Sequence, residues 1–203
     1  MDQEKIVVHA QERFQEMLDK VSAMQARSED LLFRAQRWAN AVRNKTSYRD
    51  QMFPDDLQLL RRATRTFIQE CTTLPSMMDW LERDVSYDPD PRALERIRSL
   101  LKVATQFEKD LANFNDVNRH LHHFVPLPEL KVDVWYQVQE IEVIYDKVKG
   151  YPFFISTRLM NKVSTPEAGP QPGTPPSETP QPGSPPPAGT PPAPPPPAGP
   201  QSA

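Results

Sequence analysis

Residues 7 to 42 read VVHAQERFQEMLDKVSAMQARSEDLLFRAQRWANAV, with the apolar spacing of a helix that packs along other helices. Val7, Ala10, Phe14, Met17, Val21, Met24, Ser28, Leu31, Ala35, Trp38 and Val42 follow in alternating steps of three and four. Only Ser28 in that series is polar. A period of 3.5 keeps one stripe of a helix facing a partner helix. Leu18, Leu32 and Ala39 lie beside the stripe and widen it beyond a two-stranded seam, toward a bundle helix. The first helix is predicted to run from residue 3 to 46.

A second run repeats the rule through Leu57, Leu60, Thr64, Phe67, Cys71, Leu74, Met78, Leu81 and Val85. The connection before it spans Asn44 to Pro54, and Asp55 with Gln58 has the spacing of a capping box. Pro75 interrupts the run without shifting its phase, so a kink is expected at 73–76, with Ser76 and Asp79 capping the restart. The stretch from Tyr87 to Pro91 is a boundary, with Asp90 as N-cap and Pro91 at the first helical position.

A third helix is predicted to Phe124. Leu94, Ile97, Leu101 and Ala104 share a stripe that then slips by one residue to Phe107, Leu111, Phe114, Asn118, Leu121 and Val125. Pro126-Leu-Pro128 opens a fourth helix with Leu130, Val134, Ile141, Tyr145 and Val148 on one face, and Gly150 is placed as its C-terminal cap. Tyr151 to Ile155 and Leu159-Met160 form a last apolar patch. It is expected to pack on the bundle, with docking on a partner as the alternative.

Composition divides the 203 residues near Ser164. Residues 165–203 hold 17 of the 24 prolines and five of the six glycines, and no aromatic, basic or large aliphatic residue. Such a segment cannot offset its own ordering entropy, so a disordered proline-rich tail is expected there. Its ten-residue repeat, Pro170 to Pro176 and again Pro180 to Pro186, suits a polyproline spacer more than a docking peptide, since no basic or aromatic neighbour accompanies it. Residues 1–164 then form one domain, large enough for a real core. With Gly150 as their only glycine, tight-turned β structure is disfavoured. The fold class expected is an all-α, elongated bundle or coiled coil of about four helices.

Charge excludes a global electrostatic role, because the formal net charge is −3. The N-terminus lacks the pattern of a secretory signal, no stretch approaches a membrane span, and Cys71 is the only cysteine. A soluble, cytoplasmic protein is the expectation. No nucleophile elbow, phosphate-binding loop, dinucleotide fingerprint or paired-cysteine motif occurs, so neither an enzyme nor a cofactor is expected.

Three constellations remain. The seam residues Phe14, Met17, Val21, Met24, Leu31 and Trp38 are partner-binding candidates, because a fourth helix of about 20 residues is too short to cover a rod of roughly 65 Å. Part of the seam should then seek a protein partner, a second copy or another chain. Arg34, Arg37, Arg43, Lys45, Arg49, Arg61, Arg62 and Arg65 form a basic stretch, which as the alternative function would bind nucleic acid. Against that, cations also favour a helix C-terminus and ordinary bundle faces. Asp116, His120 and His123 share one helix face and are weak metal candidates, lacking the fourth ligand of a structural zinc site.

Overall fold

The computed structural model describes residues 3–85 and 91–164, which fall in one compact unit. The proline-rich tail, the boundary at Tyr87 to Asp90 and the Asp90 cap lie outside the described residues. Those described contain no strand. They form α1 (Gln3–Arg43), α2 (Phe53–Cys71), α3 (Leu74–Asp84), α4 (Pro91–Phe124), α5 (Pro128–Val148) and α6 (Tyr151–Phe154). A π-helical turn, Ile155–Leu159, then leads into α7 (Met160–Ser164).

These segments make four columns around one core. The first is α1 alone, about 60 Å long at 1.5 Å per residue. The second is α2 continued by α3, the third is α4, and the fourth is α5 continued by residues 151–164. Arg13 reaches the Glu70 carbonyl while Trp38 meets Phe53, so α1 and α2 run antiparallel. Phe14 against Phe107 and Ser28 against Asn118 make α1 and α4 parallel neighbours. Asn118 with Gln137 and Arg119 with Glu142 set α4 and α5 antiparallel. Arg61 with Asp133 and Arg65 with Glu140 set α2 and α5 parallel. Around the bundle the order is therefore α1, α2, α5, α4.

The seam of α1 is buried from Val7 to Trp38, and Phe14, Met17, Val21, Ala35 and Ser28 are wholly enclosed. Burying Phe14, Met17 or Val21 contributes about 1.5–3 kcal/mol each, which is why the 3.5 period dominates local preference. The seam ends earlier than its spacing predicts. Val42 is exposed while Ala41 beside it is buried, and the Phe53 ring at the start of α2 packs on Trp38 at 5.9 Å.

The predicted slip in the third helix does not occur. Leu100 is enclosed and Leu101 is only half-buried, so Ile97, Leu100, Ala104, Phe107, Leu111, Phe114, Asn118, Leu121 and Val125 continue in steps of three and four. Either leucine fits the local pattern; the position of α1 chooses Leu100.

The breaks also differ in detail. The chain parts near Pro75 as expected, but the N-cap of α3 is Thr73 and no side chain caps it. At α2 the predicted Asp55–Gln58 box is replaced by Asp50, whose Oδ1 accepts the Met52 and Phe53 amides at 3.1 Å each. The helix begins one turn earlier than the capping pattern suggested, so Asp55 falls inside its first turn.

Gly150 does not form the predicted left-handed cap, and such a cap occurs instead at Lys45. The end of α1 is a Schellman turn in which Thr46 N donates to Ala41 O and Lys45 N to Val42 O. Its left-handed residue is Lys45, at φ 54°, where glycine is usual. Gly150 instead has φ −90° and ψ −10°, an ordinary right-handed conformation, and α6 follows at once. The apolar patch after it packs inward in part: Ile155 and Leu159 are buried, with Val163 beyond them, and the Tyr151 ring lies edge-on to Phe14 at 6.2 Å, but Phe153 points to solvent at 72 % exposure.

Candidate interaction surfaces

The six seam candidates have their partners inside the chain. Phe14, Met17, Val21, Met24, Leu31 and Trp38 are all buried by the other columns. The shortfall that motivated an external partner disappears, because α3 prolongs the second column and residues 151–164 prolong the fourth. Arg158 pairs with Glu82, and Lys162 donates to the Glu82 carbonyl, tying those two extensions together.

The basic stretch divides into used and unused charges. Arg34 is held by Asp30, Asp50 and Asp56, with contacts of 2.7 Å to the latter two, and these bonds raise its pKa. Arg61 pairs with Asp133, and Arg65 lies 3.8 Å from Glu140. These three hold helices together. Arg37, Arg43, Lys45 and Arg49 are exposed at the α1–α2 end, with no carboxylate partner among the described residues. The Arg37 guanidinium lies 4.6 Å over the Tyr48 ring. Arg62 is exposed further down α2.

The histidine cluster does not converge. His120 Nδ1 is within 2.8 Å of the Asp116 backbone oxygen, the Asp116 carboxylate faces Arg119 at 3.5 Å, and His123 lies edge-on to Phe124. Among the described residues no three His, Cys, Asp or Glu side chains form a metal-binding group. Cys71 sits in the core with its Sγ 4.0 Å from the Met17 sulfur, and burial pushes the thiol up to about 12.

Sequence reading missed the outer face of α5. Val132, Trp135, Tyr136 and Val143 are each 49–56 % exposed, although the inward face of the same helix is fully buried at Val134, Ile141 and Val148. At 100° per residue Val132, Tyr136, Gln139 and Val143 fall on one outward stripe, with Trp135 at its edge toward α4. There the Trp135 ring meets His122 at 5.4 Å, and burial lowers the His122 pKa, keeping that ring neutral at pH 7. The excess of β-branched and aromatic residues in α5 was the available signal; helix propensity alone would not place them on a wet surface. Phe33 on α1, also exposed, has no comparable neighbour along its own helix face.

Compared with protein-family models, curated proteins and solved structures, the chain shows no significant match. The fold defines it as a helical bundle. No helix of the described residues is long and apolar enough to cross a membrane.

Proposed function

We propose that this chain is a non-enzymatic interaction subunit of the cytoplasm that docks on a protein partner through the outer face of α5. The supporting observation is the apolar stripe Val132, Trp135, Tyr136 and Val143 on a helix whose inward face is already satisfied. Clustered half-exposed aromatics on a rigid helix are the usual anchors of protein interfaces, since they bring large contact area at small entropic cost. The buried, weakly acidic Cys71 thiol and the dispersed histidines agree with a binding role rather than chemistry.

The test is a photo-cross-linking residue in place of Tyr136, with Glu29 on the outside of α1 as the control position. The reading expects discrete protein adducts in cells from position 136 and none from 29. Adducts of equal yield at both positions, or none at 136, would refute it.

A second reading is polyanion binding by Arg37, Arg43, Lys45 and Arg49, the charges left unpaired at the α1–α2 end. Four phosphate contacts would give a slope of log affinity against log salt of about −3 to −4. Filter binding with single- and double-stranded nucleic acid at low salt measures it. Affinity unaffected by charge reversal at Arg43 and Arg49 would exclude this reading.

A further inference from the structure

We infer that the occupant of the α5 face is a second copy of this chain, packed antiparallel about a two-fold axis near Gln139. This rests on the docking reading above and names its partner. Glu129 and Lys131 occupy the first turn of α5, and Asp146 and Lys147 the last, so each end carries both signs. In an antiparallel pair Glu129 meets Lys147 of the copy, and Lys131 meets its Asp146. Tyr136 then packs on Val143 of the copy. All three pairings centre within one residue of Gln139, so a single register satisfies them together.

Glu129, Lys131 and Lys147 have no ion-pair partner within the described chain, so the pairing disrupts nothing. Asp146 is shared with Lys149 at 2.7 Å, an exposed and weakly held contact. Two aromatics and two valines, each half-exposed, offer about 400 Å² per copy. With a polar rim, two such faces approach the roughly 1,000 Å² of a weak specific interface. A micromolar, reversible dimer is the consequence.

The test uses the full chain. Sedimentation equilibrium should show a monomer–dimer equilibrium at micromolar concentration. Tyr136→Glu should abolish the dimer while leaving the thermal unfolding curve in place, since the side chain is already half in water. Lys147→Glu, which sets two carboxylates together, should weaken dimerisation about tenfold or more, and Glu129→Lys in the same chain should restore it. Under mild oxidation Lys131→Cys mixed with Asp146→Cys should form the mixed disulfide faster than either forms its own. A chain that stays monomeric at 100-fold higher concentrations, of about 0.1 mM or above, overturns the inference; so does a charge swap that fails to rescue, or faster self-cross-linking of Lys131→Cys. The docking reading fails by a different result, the absence of adducts from position 136. Adducts to another protein alone would sink the homodimer and leave docking standing.

Discussion

Gln137 Nε2 on α5 donates to Asn118 Oδ1 on α4 at 2.7 Å, in the middle of an otherwise apolar core. Asn118 Nδ2 in turn donates to its own helix at the Phe114 carbonyl, 2.7 Å away, and lies 3.4 Å from Ser28 Oγ on α1. All three side chains are at most 1 % exposed. Thr64 of α2, also enclosed, satisfies itself by donating to the Leu60 carbonyl at 2.9 Å. The Arg61–Asp133 and Arg65–Glu140 pairs bracket its height and put it near that of Gln137. Each of the four columns thus contributes at least one polar residue to the core, and α4 adds a second, Asn115. Such residues penalise any longitudinal slip, because a displaced amide would face only hydrocarbon.

Replacing Asn118 by Leu should destabilise the bundle by about 1–3 kcal/mol, since the Gln137 amide is then stranded. The double variant Asn118→Leu with Gln137→Leu should recover most of that loss, because Gln137 Oε1 has no partner among the described residues even now. Urea unfolding of the four proteins in the cycle measures the coupling. Strictly additive losses would show that the pair is energetically independent.

Lys45 and Gly150 predict gains. Lys45→Gly should add up to about 1 kcal/mol by relieving the left-handed backbone strain. Gly150→Ala should add about 0.4–1 kcal/mol, because the right-handed backbone suits alanine and an added Cβ meets nothing within 4 Å. Thermal melts of both variants give the sign. A lower melting temperature for Gly150→Ala would contradict the backbone geometry described.

Asp50 links the α1–α2 connection to both helices. Bonds from Arg34 hold its carboxyl below the ordinary value of 3.8, with the Met52 and Phe53 amides acting the same way. A carboxyl with a depressed folded pKa contributes stability in full above the unfolded pKa, and that stability is lost as pH falls through the folded value. Asp50→Asn should therefore be less stable at pH 7, by about 1–2 kcal/mol, and should lose less on acidification below pH 4. Equal acid sensitivity in the two proteins would refute this.

Cys71 should be silent in the native state. With the thiol at about 12, the thiolate is scarce at pH 8, and the core denies access to reagents. Labelling by an aromatic disulfide should proceed at the rate of global or local opening, and immediately in urea. A fast stoichiometric reaction of the folded protein would mean that the second column opens near Cys71.

The all-helical bundle and the α1 seam were legible because a 3.5 period in apolar residues has one physical solution, a helix packed on helices. Positions such as Phe14, Leu60 and Ile141 are core on any arrangement of those helices. The end of α4 at Phe124 was equally legible, since Pro126 and Pro128 cannot continue a helix. The choice of Leu100 over Leu101, the cap at Asp50 and the fate of Arg34 were not. Each depends on which neighbour stands opposite, at distances no local pattern contains.

The interaction surface shows the same division most sharply. Spacing placed Leu130, Val134, Ile141, Tyr145 and Val148 on one face of α5, for periodicity is a property of the chain alone. Whether Phe14 to Trp38 or Val132 to Val143 would remain uncovered depended on how far the second and fourth columns extend. The Pro75 restart and the π-helical turn at Ile155–Leu159 carry those columns the full length of α1, so the α1 seam is filled from within. The outer face of α5 stays wet because no fifth column exists among the described residues to cover it.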